Sequence, residues 1–264
     1  MRAGPRLAAA GLIRLRWPAP ERGTFAATLW EKMRHLQMQW TYQLMVQSRK
    51  RKLELFWKLM APRPGQRVLN LGAVSPQIGH ALLGRQPADI VEQPEQDPRW
   101  KILRVIGTNI SPDNVREYGA QYPGNACLVS DGCRVPFADK SMDIVFSNAV
   151  IEHLLPEQQS RMAREIMRVG KSWFVTTPNF WYPIELHHKL PLIHFLPSSW
   201  QQRIARRLSS WPAAEPIHLL SARQMRELFP GSRILKLRVT FWPESLIAFY
   251  REPAADSAGS LSRN

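Results

Sequence analysis

A chain of 264 residues with 44% hydrophobic residues can bury one substantial core, and the default expectation is a single soluble domain with appended segments. The formal net charge of +15 favours anionic partners such as nucleic acid, lipid head groups or acidic glycans, without choosing among them. The sequence has no apolar run of about eighteen residues, which excludes a membrane-spanning helix on length. Two cysteines, Cys127 and Cys133, and no His/Cys cluster with zinc spacing predict a reducing compartment and no metal site.

The basic charge is concentrated at the N-terminus. The first sixty residues carry twelve Lys/Arg against three Glu, a net charge of +9. Apolar residues recur at helical spacing from Thr24 to Met60, and Pro62 ends the pattern. The run Arg49-Lys50-Arg51-Lys52 lies inside this helix, either as a solvated face of a segment that covers the core or as a patch facing anions or a membrane. Residues 1–62 are therefore predicted to be a basic tail and a helical cap.

Two buried strands are predicted next, each ending at a polar residue. Residues 67–72 (RVLNLG) contain Asn70 and break at Gly72, and a helix is expected from about Gln77. Residues 104–110 (RVIGTNI) end at Asn109 and Ile110, and Ser111-Pro112 is a typical helix start. The polar segment 85–100 between them is interpreted as a connecting loop.

The central stretch, residues 130–154 (SDGCRVPFADKSMDIVFSNAVIEHL), contains the ends of two more predicted strands. Asp131 follows the first of them, and Asn148 follows the second. Open α/β sheets bind their ligands just beyond the carboxyl ends of parallel strands, so these residues are candidate ligand contacts. Glu152 and His153 come directly afterwards.

The remaining third alternates helices and strands around one irregular segment. The patterns predict a helix from Pro156 to Val169, a strand over 171–177, a basic amphipathic helix over 198–208, a helix opened by a capping box at Ser221, and two strands over 234–241 and 244–250. The Pro-rich and aromatic segment 178–197 is predicted to be a long ordered loop without regular structure. Residues 253–264 are predicted to be a disordered tail.

Three histidines in that loop, His187, His188 and His194, have two readings. They are surface or interface histidines, or they contact substrate and transfer protons. No carboxylate spacing completes a recognised metal site with them.

The run D-G-C-R-V-P-F followed by E-H-L, together with the order of strands, resembles the central motifs of class I S-adenosylmethionine (SAM)-dependent methyltransferases, in particular the type 11-like small-molecule group. The resemblance covers roughly residues 67–250. It implies an α/β fold with a Rossmann-like seven-stranded, mostly parallel sheet, helices on both faces and an N-terminal helical extension. The methyltransferase domain would span 63–252, with SAM as cofactor.

The resemblance also assigns roles to residues. Cofactor contacts would come from Asn70, Gly72, Asn109, Ile110, Asp131, Gly132 and Asn148, with Asp131 on the adenine amino group. The first glycine motif is degenerate, because Asn70 replaces an acid and Val74 and Pro76 replace glycines. Asn109 likewise replaces the acid that holds the ribose hydroxyls, which removes a charge-assisted hydrogen bond. If a general base is needed, His153 is the first candidate, followed by His187 and His188.

Two functional hypotheses follow from these features. The first is methylation, expected at oxygen, of a small-molecule, lipid-linked or glycan acceptor, in the cytoplasm and with possible peripheral contact between the basic amphipathic segments and the inner membrane face. The second is a methyltransferase-like protein that has lost catalysis and acts as a basic scaffold for anionic partners. Nucleic acid is not expected as the substrate, because the chain lacks an appended RNA-binding motif and the N-P-P-Y or D-P-P-Y tetrapeptide.

Overall fold

The computed structural model of the protein describes residues 25–74, 94–185, 187, 190–208 and 217–253. The helix predicted from about Gln77, His188 and nearly all of the C-terminal tail lie outside the described residues. The chain divides into two compact units, residues 1–40 and 41–264. Helix α1 comprises Phe25–Met60, and its bounds agree with the predicted helix.

A seven-stranded sheet forms the centre of the larger unit. Its strands are β1 (Arg67–Leu71), β2 (Arg104–Asn109), β3 (Ala126–Val129), β4 (Met142–Asn148), β5 (Gly170–Pro178), β8 (Arg233–Leu237) and β9 (Ser245–Tyr250). They are arranged in the order β3-β2-β1-β4-β5-β9-β8. The first five in the chain are parallel, whereas β9 runs antiparallel to both β5 and β8. The Rossmann-like methyltransferase sheet is therefore confirmed, and the order reverses between β1 and β4, where α/β sheets bind ligands.

Both faces of the sheet are buried, which explains the nearly continuous apolar runs in the central strands. On one face, Leu69 and Val145 pack with Met162, Ile166 and Met225. On the other face, a cluster of stacked and edge-on rings forms from Phe56 of α1, Trp100, Phe146 and Phe174. Residues 41–60 of α1 thus cover one side of the sheet.

Four further helices in the described ranges agree with the predicted helical segments to within about two residues. They are α2 (Pro112–Gln121), α3 (Pro156–Val169), α4 (Ser198–Leu208) and α5 (Ala222–Leu228). The hydroxyl of Ser111 accepts from the backbone N–H of Asn114, and Ser221 forms a capping box with Gln224.

Two segments predicted to be irregular contain short regular elements. In the loop after β5, β6 (Ile184–Glu185) pairs with β7 (Leu190–Pro191), so the prediction of no strand there is wrong. Two-residue strands are too short to show an alternating pattern. The segment 94–102, interpreted as a connection, holds two short 3₁₀ helices and buries Trp100 in the core.

None of the helices within the described ranges has the length and apolar character needed to cross a membrane.

Candidate functional site

The turn after β1 lies at the edge of the sheet where the parallel strands have their carboxyl ends, between the ends of β2 and β4. Gly72 has φ +82°, a conformation that glycine adopts without strain. A Cβ at this position would lie 2.3 Å from Cγ2 of Val150, so the turn also has no room for a side chain. The backbone N–H groups of Gly72 and Ala73 both donate to the carbonyl of Thr108. This turn is therefore fixed against the neighbouring strand.

Asn70, the residue in the family's acidic position, is bound to a carboxylate from the segment before β2. It is buried, and its Nδ2 donates to Glu95 Oε1 at 2.7 Å. The hydroxyl of Tyr118 donates to the same oxygen at 2.7 Å. Burial raises the pKa of Glu95 and outweighs the opposing effect of these two hydrogen bonds. A carboxyl group, that of Glu95, thus lies against Asn70, although residue 70 itself is an amide.

Asn109 uses both ends of its amide within the protein. Its Nδ2 donates to the carbonyl of Ala73 at 3.0 Å, and its Oδ1 accepts from the backbone N–H of Ser111 at 2.9 Å. A carboxylate at this position could not donate to Ala73. The predicted ribose contact by this side chain would therefore compete with the bonds that connect the ends of β1 and β2.

Beyond the ends of β2 and β3, two apolar side chains lie open to solvent beside a carboxylate. Ile110 is 72% exposed and Val129 is 49% exposed. Asp131 is exposed, and one of its oxygens, Oδ1, accepts from the backbone N–H of Cys133. A planar apolar ring could cover these aliphatic groups while an amino group on it donates to the carboxylate. Gly132, partly buried, follows in the chain.

At the end of β4, Asn148 accepts a hydrogen bond of 2.6 Å from the Thr176 hydroxyl of β5. The next residue, Ala149, has φ +55°, and its N–H donates to the carbonyl of Thr176. This turn directs the chain into the short helical segment Ile151–His153.

That segment brings two predicted catalytic residues and their acidic neighbours together. The rings of His153 and His187 meet edge to face, with centroids 5.0 Å apart. Glu152 is fully buried, and its Oε2 accepts from the Thr177 hydroxyl at 3.1 Å. His187 Nδ1 lies 2.7 Å from Oε1 of the buried Glu185, and His187 Nε2 lies 4.0 Å from Glu152 Oε1.

Glu152, His153, Glu185 and His187 form a cluster, and the pKa values in and around it depend on side chains from three different parts of the chain. Burial lowers the pKa of Lys52 in α1 to about 8, although Glu152 and Glu244 act in the opposite direction. Burial alone would lower the pKa of His187, but the hydrogen bond to Glu185 and the charges of Glu185 and Glu152 outweigh it and raise the pKa.

The cluster was only partly foreseeable. His153 and His187 were candidates, whereas Glu185, Lys52, Glu244 and Glu95 were not. Glu95 lay in a segment interpreted as a connection, and Lys52 lay in a run of four basic residues that looked like a solvated face. The sequence also predicted no metal site, yet one ligand atom from each of Glu152, His153 and His187 lies within 4.8 Å of the others, an arrangement that could hold a metal ion.

Comparison with known proteins agrees with the fold. Residues 94–173 match the model of a family described as a methyltransferase domain. No curated protein matches the chain in sequence. Among solved structures, the PH0226 protein from Pyrococcus horikoshii OT3 is similar with 16% identity and a TM-score of 0.50, covering 78% of this chain and 91% of that one.

Two further solved structures are similar at lower TM-scores. A SAM-dependent methyltransferase from Methanosarcina mazei is 15% identical, with a TM-score of 0.47 over 73% of this chain and 95% of that one. Phosphoethanolamine N-methyltransferase 2 from Haemonchus contortus, solved with SAM, is 16% identical, with a TM-score of 0.48 over 71% of this chain and 38% of that one.

Proposed function

Because this chain carries a SAM-dependent methyltransferase domain of the class I, type 11-like kind, we propose that it methylates an oxygen atom of a small-molecule, lipid-linked or glycan acceptor. The observation that supports this proposal is the cluster of two buried carboxylates, Glu152 and Glu185, and two half-buried histidines, His153 and His187, next to the edge of the sheet proposed to bind the cofactor. An oxygen nucleophile must lose a proton, and this cluster offers groups that can accept one.

The residues at the sheet edge fit SAM. Ile110 and Val129 offer an apolar surface for the adenine ring, and Asp131 offers an acceptor for its amino group. Gly72 keeps the positive φ that lets backbone approach a ligand. When bound, SAM supplies an electrophilic methyl group. The protein's task is then to align the acceptor oxygen with the methyl–sulfur bond and to exclude water.

The acceptor would lie between the strand ends and the loop after β5. Glu185 holds His187 by a hydrogen bond to Nδ1, which directs Nε2 towards Glu152. His153 packs edge-on against the same ring, so both histidines border one space. We assign acceptor positioning and proton acceptance to this pair, and His153 remains the first candidate for the base.

A lipid-linked acceptor is favoured by the surface around this loop. Trp181 is 60% exposed, Phe195 43% and Trp200 58%, although large aromatic side chains are usually buried in soluble proteins. Arg203 and Arg206 of α4 are exposed next to them in the chain. Aromatic and basic side chains together are typical of segments that lie on anionic membranes. The protein would then work at the cytoplasmic face of a membrane.

The test is methyl transfer from methyl-labelled SAM to three fractions of a host extract: small molecules, soluble glycans, and lipids presented in vesicles with and without anionic lipid. We expect label in one fraction only, and an O-methyl product by mass spectrometry and NMR. Asp131→Ala should weaken SAM binding by calorimetry without unfolding the protein. His153→Ala should lower turnover more than SAM affinity.

Failure has two distinct forms. If the folded wild type binds no SAM at millimolar ligand, the proposal is wrong and the result favours the hypothesis of a scaffold for anionic partners. If SAM binds but the labelled product is N- or C-methylated, the cofactor assignment stands and the oxygen assignment is wrong.

A further inference from the structure

We propose that Glu152, His153 and His187 form a binding site for a divalent transition-metal ion of the zinc type. Two imidazoles and one carboxylate are the donors that hold catalytic zinc in several unrelated proteins, with a fourth position left open. The three residues come from two segments, the turn after β4 and the loop after β5.

The donor atoms are close to the separation that a metal requires. They all lie within 4.8 Å of one another, and His187 Nε2 is 4.0 Å from Glu152 Oε1. Ligands about 2.0–2.1 Å from a tetrahedral ion are about 3.3 Å apart. The His187–Glu152 pair would need to approach by about 0.7 Å, and the widest pair by at most about 1.5 Å, through side-chain rotations.

A second and independent observation points to a ligand. Glu152 is 0% exposed, and its Oε1 has no hydrogen-bond partner among the described residues. Leaving a buried carboxylate oxygen without a partner is destabilising. The same oxygen faces His187 Nε2 at 4.0 Å, across the space that the ion would occupy. A cation there would satisfy it.

The surroundings of His187 also match those of a metal ligand. Histidines that bind metals usually donate their other ring N–H to a carboxylate, which fixes the tautomer. Glu185 Oε1 lies 2.7 Å from His187 Nδ1 and also accepts from the backbone N–H of His187 at 3.0 Å. Nε2 is therefore the nitrogen that faces Glu152. The ring is 12% exposed, which leaves access to the site.

The charge balance favours a cation as well. Glu152, Glu185 and Glu244 are all buried. Among the described residues, the buried Lys52 interacts with both Glu152 and Glu244. With both histidines neutral, as metal binding requires, the three carboxylates exceed that lysine by two formal charge units, which matches one divalent ion. The donor set selects zinc, cobalt or a similar ion over Mg²⁺ and Ca²⁺, because those two prefer oxygen ligands.

When the ion is bound, His153 and His187 are its ligands and do not accept the acceptor's proton. The open position would then hold water or a hydroxyl of the proposed acceptor, and a hydroxyl bound to such an ion releases its proton to solvent water more easily. This last point rests on the proposed function, whereas metal binding does not.

The experiment uses untagged protein stripped with a chelator and then titrated with Zn²⁺ and Co²⁺. We expect one ion per chain, and visible absorption bands of four-coordinate cobalt. Glu152→Gln keeps the shape of the side chain but removes the charged ligand, and it should weaken Zn²⁺ binding at least tenfold. Glu185→Gln should weaken it by about 10- to 100-fold with the stoichiometry unchanged, as expected for an outer carboxylate.

A matched control comes from the same loop. His194 lies outside the cluster, with Nε2 2.9 Å from the carbonyl of Phe180, so His194→Gln should bind Zn²⁺ like the wild type. If Glu152→Gln does not fold, His153→Ala provides the same test. Zinc affinity that is unchanged in a folded ligand variant, or less than one ion per wild-type chain at saturation, would overturn the inference. Metal binding by a protein that transfers no methyl group would leave this site intact and refute only the proposed function.

Discussion

Asn70 and Glu95 are hydrogen-bonded to each other near the turn after β1. Exchanging the amide and the carboxyl group between these two positions tests whether Glu95 compensates for the acidic residue that the methyltransferase family has at position 70. Asn70 is 3% exposed, and its amide donates to Glu95 Oε1 at 2.7 Å. Asn70→Asp removes this donor, which costs about 1 kcal/mol, and places a second carboxyl group against the first. One of the two must stay protonated or move, which costs a further ~2 kcal/mol. We expect Asn70→Asp to lose about 3 kcal/mol at pH 8.

Adding Glu95→Gln should restore most of this loss. The glutamine Nε2 carries two hydrogens, enough to donate both to the carboxylate introduced at position 70 and to the Tyr118 oxygen. The free energy of unfolding of the double variant should therefore exceed, by about 2 kcal/mol, the value obtained by adding the effects of the two single substitutions. Urea unfolding followed by circular dichroism and by tryptophan fluorescence gives all four free energies of unfolding.

The pH dependence has a definite sign. Since burial raises the pKa of Glu95, the folded protein binds an extra proton above the ordinary glutamate range, and stability falls as pH rises through the raised pKa. Glu95→Gln should abolish that part of the pH dependence. An Asn70→Asp protein as stable as the wild type at pH 8, or a coupling free energy below about 0.5 kcal/mol, would refute the contact on which this reasoning depends.

Two further changes test the strand ends. Asn109→Asp introduces the acidic residue of the family but removes the amide that donates to the Ala73 carbonyl. We expect the free energy of unfolding to fall by about 1 kcal/mol and the SAM affinity measured by calorimetry not to rise. Tighter SAM binding would contradict the assignment of this amide to the turn. Gly72→Ala would place a methyl group against Val150 Cγ2 at a residue with φ +82°. The free energy of unfolding should fall by about 2–4 kcal/mol, and adding Val150→Ala should restore the part of this loss that comes from the steric clash, as measured by urea unfolding. If Val150→Ala restores nothing, backbone strain alone causes the loss.

The class of fold and the edge of the sheet that carries the site could be predicted from the sequence. Apolar runs ending at Gly72, Asn109, Asp131 and Asn148 marked parallel strands with polar ends, and capping residues such as Ser111 and Ser221 marked the helices. These signals are local, because periodicity and caps depend on residues a few positions apart. The order of the strands also agreed with the predicted family.

The sequence by itself therefore determined the sheet, its helices and the edge at which the candidate site residues lie, whereas the partners of these residues were decided by the tertiary structure. Glu95 reaches Asn70 from 25 residues away, and Glu185 and His187 meet Glu152 and Lys52 only because β4 and β5 are neighbours and α1 covers the sheet. The spacing of residues along the chain does not predict such contacts. Burial then fixes the energies of these groups, since a carboxylate or a lysine removed from water depends on the few charges and hydrogen bonds that the fold places around it.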